Sequence, residues 1–103
     1  MSNKDIFHLE LFLGEHPGKY IKYLLVQNNV SQYRLAHITG IDAAVISHIV
    51  AGHINLNVKR IKTLALALNI DPMQLFRLDA AYKIKTTPNP KLKVSTMHAE
   101  ELL

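Results

Sequence analysis

The sequence predicts an all-α domain of five helices, and three observations lead to that prediction. The chain has 103 residues, 49% of them hydrophobic, which is room for one domain with a compact core. Apolar residues recur at helical spacing between residues 17 and 84. Each of these apolar runs is preceded by proline or a capping side chain, and most end at glycine or asparagine.

The N-terminal extension, residues 1–16, fits either a strand or a helix. Apolar residues alternate from Phe7 onward as in a strand, whereas Ile6, Leu9 and Leu13 also share one face of a helix. The helix is favoured, because Gly14 is placed to end it, but both alternatives stay open.

Two predicted helices follow the extension. The first starts near Pro17, because proline is tolerated in the first turn of a helix, and it ends around Asn28. The second starts at Ser31, a good capping residue, and ends at Gly40. The residues predicted to face the core here are Ile21, Leu24, Leu25, Leu35, Ala36, Ile38 and Ile41.

Three more helices complete the predicted domain. The third begins after Asp42 and ends at Gly52, and the fourth runs from about Asn57 to Leu68. The fifth begins after Asp71, which is followed by a proline suited to the first helical position. Their predicted core residues are Ile46, Ile49, Val58, Ile61, Leu64, Ala65, Leu68, Leu75, Phe76 and Tyr82.

The helical pattern fades after Ile84, so the predicted domain spans residues 17–84. Two prolines in residues 86–90 break any helix, and residues 85–103 are therefore predicted to form a linker and a C-terminal tail. Residues 97–103 fit one or two helical turns.

Positive charge is concentrated in the middle of the chain. The whole chain carries a formal charge of +4, and its six histidines add to this below neutral pH. Residues 17–70 hold six basic side chains against Asp42 alone, a net charge of +5, whereas residues 1–16 carry −2. A basic helical region is compatible with binding to nucleic-acid phosphates.

Several classes of protein are excluded or disfavoured by what the sequence lacks. Without cysteine there is no disulfide scaffold, no Cys-based zinc site and no thiol nucleophile. No apolar run is long enough to cross a membrane, and no secretory signal is recognisable, so a cytoplasmic location is expected. No catalytic motif or paired core acids indicate an enzyme, and His37, His48 and His53 fit surface histidines better than a metal site. We expect no cofactor and no metal.

The most informative segment is SQYRLAHITGIDAAVISHIV, residues 31–50. Two short helices are joined by a turn that begins with Gly40, a residue that adopts a left-handed conformation at no steric cost. Ala36 is small, which lets the two helices pack closely. These features are typical of a helix-turn-helix motif, whose second helix presents its outward face to a major groove.

The chain resembles the Cro/cI-repressor (XRE) type of helix-turn-helix domain from about residue 19 to residue 76. That resemblance implies a lambda-repressor-like DNA-binding fold. The matching marks are Ser31-Gln32, Leu35-Ala36, Gly40-Ile41, Ile46-Ser47-x-Ile49, Gly52, Ala65-x-Ala67-Leu68 and Leu75-Phe76.

A second resemblance is to a subgroup, the HigA-type antitoxins. It depends on His16-Pro17-Gly18 just before the first helix and on an extra helix ending near Tyr82. The resemblance implies a domain that dimerises, binds its own promoter and neutralises a ribonuclease toxin.

The resemblance to the XRE family also implies which residues contact DNA. Gln32 would lie near a phosphate at the start of the second helix, with Ser31 and Tyr33 beside it, and Asp42 would cap the recognition helix. The remaining expected contacts are Ala43, Ala44, Ser47 and His48 to bases, and His53, Asn55 and Lys59 to the backbone.

The sequence departs from the family at the base-reading positions. Many members have glutamine or arginine there, which read adenine or guanine through two hydrogen bonds, but this chain has Ala43 and Ala44. Only Ser47 and His48 can then hydrogen-bond bases. We therefore expect weak direct readout, with DNA shape and phosphate contacts contributing more of the specificity.

The sequence therefore predicts a DNA-binding transcriptional regulator that represses from a palindromic operator as a homodimer, with a toxin protein as a further partner. A HigA-type antitoxin is the favoured subtype. The alternatives are a phage-type repressor and a protein-interaction module that kept the fold but lost DNA reading.

Overall fold

The structure, a computed structural model, describes residues 9–93. It contains no strand in that part of the chain, which confirms the predicted all-α class with five helices. None of the helices in residues 9–93 is long and apolar enough to cross a membrane. In order, the helices are α1 (Pro17–Gln27), α2 (Gln32–Thr39), α3 (Ala43–Val50), α4 (Val58–Ala67) and α5 (Pro72–Thr86).

Each helix begins where a side chain caps its first turn. The predicted caps Ser31, Asp42 and Asp71 each accept a hydrogen bond from a backbone N–H of the helix that follows, and so does Asn57 at the predicted start of α4. These bonds are local, so the helix starts follow directly from the sequence. The second helix ends at Gly40, whose φ of 73° is left-handed as predicted.

The main core lies where all five helices meet. It contains Ile21 of α1, Leu35 of α2, Ile46 and Ile49 of α3, and Leu64 of α4, all of which have almost no exposed surface. Burying side chains of this size stabilises a fold by roughly 1.5–3 kcal/mol each. The core thereby fixes α3, the second helix of the predicted motif, against its neighbours.

A smaller core joins the N-terminal extension to the domain. Leu9 is buried with Tyr20, Leu24 and Leu78, and the ring of Phe12 packs against it. Leu9 and Glu10 are helical, and turns follow up to Gly14. The predictions that concern Ile6 and Phe7 lie outside the described residues.

The prediction of a core position is wrong for three residues. Ile38 is 52% exposed, Val58 70% and Phe76 43%. Ile38 lies at the edge of the face defined by its buried neighbours on α2, and Val58 is the first residue of α4, one turn before that helix is covered. On α5 the buried face follows helical spacing through residues 75, 78 and 79, which turns Phe76 outward.

The C-terminal end of the domain differs slightly from the prediction. Helix α5 continues to Thr86, two residues beyond the predicted boundary, and Tyr82 is half-buried. Residues 91–93 have no regular secondary structure, and the prediction for residues 97–103 lies outside the described part of the chain.

Candidate nucleic-acid interface

The turn between α2 and α3 is held by one hydroxyl. Thr39 Oγ1 donates to the carbonyl of Leu35 at 2.8 Å and accepts from the backbone N–H of Ile41 at 3.2 Å. A Cβ at Gly40 would have open space around it, so glycine is favoured there by its positive φ alone. Ile41 packs against the core as predicted, which sets the angle at which α3 leaves the turn.

Helix α3 has one buried face and one exposed face. Ile46 and Ile49 are each 1% exposed. The structure places the four predicted base-reading residues together on the opposite, exposed side: Ala43, Ala44, Ser47 and His48. This side therefore offers methyl groups, one hydroxyl and one imidazole. Asp42 is also exposed and caps the helix through its Oδ1, 2.8 Å from the N–H of Ala44.

The α3–α4 loop, residues 51–57, extends this exposed surface. His53 and Asn55 are both exposed, and the imidazole rings of His48 and His53 lie 5.9 Å apart between centroids. The loop ends at Asn57, which caps α4, and Lys59 is exposed in the first turn of α4. The structure therefore brings the predicted contacts of the loop next to the end of α3.

A cavity of about 530 Å³ links the turn to the start of α4. Asp42 lines it on one side and Lys59 and Arg60 on the other. Ser31, Gln32 and Tyr33 lie at the start of α2: Ser31 caps the helix, Gln32 is half-buried and Tyr33 is exposed.

The cations near these residues are available to a ligand. Within residues 9–93, Arg34, Lys59 and Arg60 form no ion pair. The ion pairs that do form lie elsewhere; in one, the Lys19 ammonium bonds to the Glu15 carboxylate and lowers its pKa. Among the described residues, Lys59 and Arg60 are therefore unpaired beside the turn and at the start of α4, where a polyanion could bind them.

Helix α1 approaches α3 backbone to backbone. A Cβ at Gly18 would overlap the carbonyl oxygen of Ile49, so only glycine fits at this contact. His16 caps the start of α1, and its Nδ1 accepts from the N–H of Gly18 at 2.9 Å.

Two long-range contacts were not predicted. His16 Nε2 lies 3.0 Å from the carbonyl of Ile54, 38 residues away, and Lys83 donates to the carbonyl of Leu56. Lys83 is half-buried. No local pattern signals either contact, because the partner in each case is a backbone carbonyl.

The comparisons with known proteins support the same region. Residues 21–75 match the family described as helix-turn-helix (HTH_3), which is more than half of the chain. The match begins in α1, covers the α2–turn–α3 segment and ends in α5. No curated protein and no solved structure matches the chain.

Proposed function

This chain belongs to the helix-turn-helix (HTH_3) family of DNA-binding transcription regulators, and we propose that it represses transcription as a homodimer on a palindromic operator. The observation that carries the proposal is the exposed face of α3. Its side chains are exposed while the opposite face is fixed in the core, and Lys59 and Arg60, which form no ion pair within residues 9–93, line a cavity with Asp42 at its start.

In this proposal α3 enters the major groove and its neighbours grip the backbone. Gln32 and the free N–H groups at the start of α2 would meet one phosphate, since a helix N-terminus favours anions. His53 and Asn55 would meet phosphates beyond the other end of α3, and Lys59 would meet a phosphate beside the turn between α2 and α3. These contacts position the protein on the duplex but carry no sequence information directly.

Direct base reading then depends on few side chains. Ala43 and Ala44 can contact only a thymine methyl group, so Ser47 and His48 supply the hydrogen bonds. Each missing bidentate pair removes roughly 1–3 kcal/mol of discrimination between bases. We therefore expect the shape and deformability of the operator to supply much of the remaining specificity.

We assign the dimer interface to an apolar groove on α5. The groove has a volume of about 640 Å³ and is lined mainly by apolar side chains, among them Met73, Phe76 and Ile84. A second copy of the chain is the proposed occupant, because one recognition helix reads few bases and a two-fold axis doubles the contacts on a palindromic site.

A narrower proposal is that the repressor is a HigA-type antitoxin. Its support is the resemblance of His16-Pro17-Gly18 and of the helix continuing past Tyr82 to that subgroup. A gene for a small basic ribonuclease next to the gene for this chain would support the antitoxin, whereas neighbouring phage genes would support a phage-type repressor.

A mobility-shift assay with the DNA upstream of the protein's own gene tests the main proposal. At low salt we expect a retarded complex that unlabelled operator displaces more readily than scrambled DNA. Gln32→Ala and Lys59→Ala should weaken binding to both DNAs by similar factors, because their contacts are to phosphates. No complex with either DNA at low salt would contradict the proposal.

The second candidate function is a protein-interaction module. It is favoured by Ala43 and Ala44, whose methyl groups cannot form hydrogen bonds to bases. A DNA-binding protein needs polar side chains most at these base-reading positions. Dimerisation or toxin binding that persists in a protein without any affinity for DNA would support it.

A further inference from the structure

The α3–α4 loop alternates between outward and inward residues. His53 and Asn55 are exposed, whereas Ile54 is half-buried and Leu56 is 2% exposed. This alternation fixes the direction of the His53 and Asn55 side chains only if hydrogen bonds hold the loop backbone in place. The loop has neither a helix nor a sheet ladder to hold it, so the partners of its carbonyls decide its geometry.

The first of these carbonyls is held from α1. His16 is 6% exposed, and its two ring nitrogens have different partners. Nδ1 accepts from Gly18 at 2.9 Å, so Nε2 carries the proton and donates it to the carbonyl of Ile54 at 3.0 Å. The ring also packs edge-on against Tyr82 of α5, with centroids 5.1 Å apart. One imidazole therefore contacts α1, the loop and α5.

The second carbonyl is held from α5. Lys83 Nζ donates to the carbonyl of Leu56 at 2.8 Å and pairs with Asp79 Oδ2 at 2.7 Å. The Asp79 side chain is 5% exposed, so this carboxylate is buried and fixes the ammonium group in place. Hydrogen bonds from charged donors are stronger than neutral ones.

We propose that His16 and Lys83 are positioning residues for DNA binding: they hold the carbonyls of Ile54 and Leu56 so that His53 and Asn55 face the phosphates. The proposal rests on the proposed function, because it assumes that the loop contacts DNA. Neither residue needs to touch the DNA, and each acts from an element outside the α2–turn–α3 segment.

The structure allows a test that separates this role from helix capping and from charge. In His16→Asn the shorter side chain still caps α1 but does not reach Ile54, and the net charge is unchanged. Lys83→Met removes the donor and keeps the apolar stem. Lys85→Met is the matched control: it removes the same charge two residues along α5, where the lysine has only a weak contact of 3.4 Å with the carbonyl of Gly14.

The measurements are operator affinity and its salt dependence, at a temperature at which circular dichroism shows every variant folded. We expect His16→Asn and Lys83→Met to weaken binding by about 3-fold to 10-fold, the equivalent of one hydrogen bond. We expect the slope of log affinity against log salt to stay the same, because neither substitution removes a lysine or arginine that meets a phosphate. Lys85→Met should stay within about 2-fold of the unaltered protein.

Weaker affinity with an unchanged slope in Lys83→Met is the decisive result, because removal of a lysine that itself touched a phosphate would make the slope shallower. Unchanged affinity in both His16→Asn and Lys83→Met, or a shallower slope in Lys83→Met, with DNA binding intact in the unaltered protein, would overturn this inference alone. If His16→Asn fails to fold, the comparison of Lys83→Met with Lys85→Met decides. Absence of DNA binding in the unaltered protein would overturn the proposed function and this inference with it.

Discussion

Gly18 is the residue at which two helices touch through their backbones. A methyl group there would overlap the carbonyl oxygen of Ile49. We predict that Gly18→Ala lowers the free energy of unfolding by about 1–3 kcal/mol, the usual cost of forcing extra volume into a packed contact. Urea unfolding followed by circular dichroism measures this change.

Gly40→Ala is the matched control for Gly18→Ala. A Cβ at Gly40 meets nothing within 4 Å, so its cost is only that of a left-handed φ, about 1–2 kcal/mol. A further difference is expected in function, because Gly18→Ala displaces the end of α3. If Gly18→Ala had the same free energy of unfolding and the same affinity for DNA as the unaltered protein, the result would contradict the close contact between the backbones of α1 and α3.

His48 is the residue predicted to change what is read rather than how tightly DNA is held. We predict that His48→Ala lowers the preference for the operator by about 1–3 kcal/mol at one base pair of each half-site. Its affinity for scrambled DNA should stay within a few-fold. Selection of bound sequences from a random pool measures the preference at each position. An unaltered preference at every position would place the reading face elsewhere on α3.

At the scale of the elements, α5 carries the proposed dimer interface. We predict that Phe76→Glu shifts the protein from dimer to monomer, because a buried carboxylate in an apolar contact is unfavourable. Analytical ultracentrifugation measures the mass in solution, and operator affinity should fall with it.

Leu66→Glu on α4 is the control for the dimer prediction. Leu66 is 65% exposed, a larger fraction than Phe76, but it does not line the groove on α5. We expect Leu66→Glu to leave the mass unchanged. A dimer that persists in Phe76→Glu would move the interface away from α5.

The starts of the helices could be predicted from the sequence because their causes are local. Ser31, Asp42, Asn57 and Asp71 each bond to a backbone N–H two or three residues further on, within reach of the same short segment. The exposed face of α3 could also be predicted, because Ile46 and Ile49 mark the opposite face.

What could not be predicted depends on neighbours that are distant in sequence. Phe76 and Leu78 are equally apolar, and only the direction from which α1 approaches α5 decides that Leu78 is buried. The bonds of His16 and Lys83 to loop carbonyls span 38 and 27 residues. Backbone carbonyls occur at every position, so no residue type marks these partners.

At the scale of the whole molecule, charge governs how strongly DNA is held. Arg34 on α2 and Lys59 and Arg60 on α4 form no ion pair within residues 9–93, and in a dimer these three positions supply six cations. If all six meet phosphates, log affinity against log salt should have a slope of about −5. Fluorescence anisotropy with labelled operator at several salt concentrations measures it.

The salt slope also separates the two candidate functions. A DNA-binding regulator should show the steep slope with operator and with scrambled DNA, since phosphates are common to both. A slope near zero, or no binding to measure, would favour the protein-interaction module.

The two alanines at the start of α3 have a consequence for how this protein can change over evolutionary time. Ala43 and Ala44 are both exposed, so a longer side chain at either position can extend into solvent. Replacing either by glutamine or arginine costs only a few tenths of a kcal/mol in helix propensity, yet each new bidentate contact adds about 1–3 kcal/mol of base preference. A new operator preference is therefore one substitution away, and it can be acquired without loss of the scaffold that carries it.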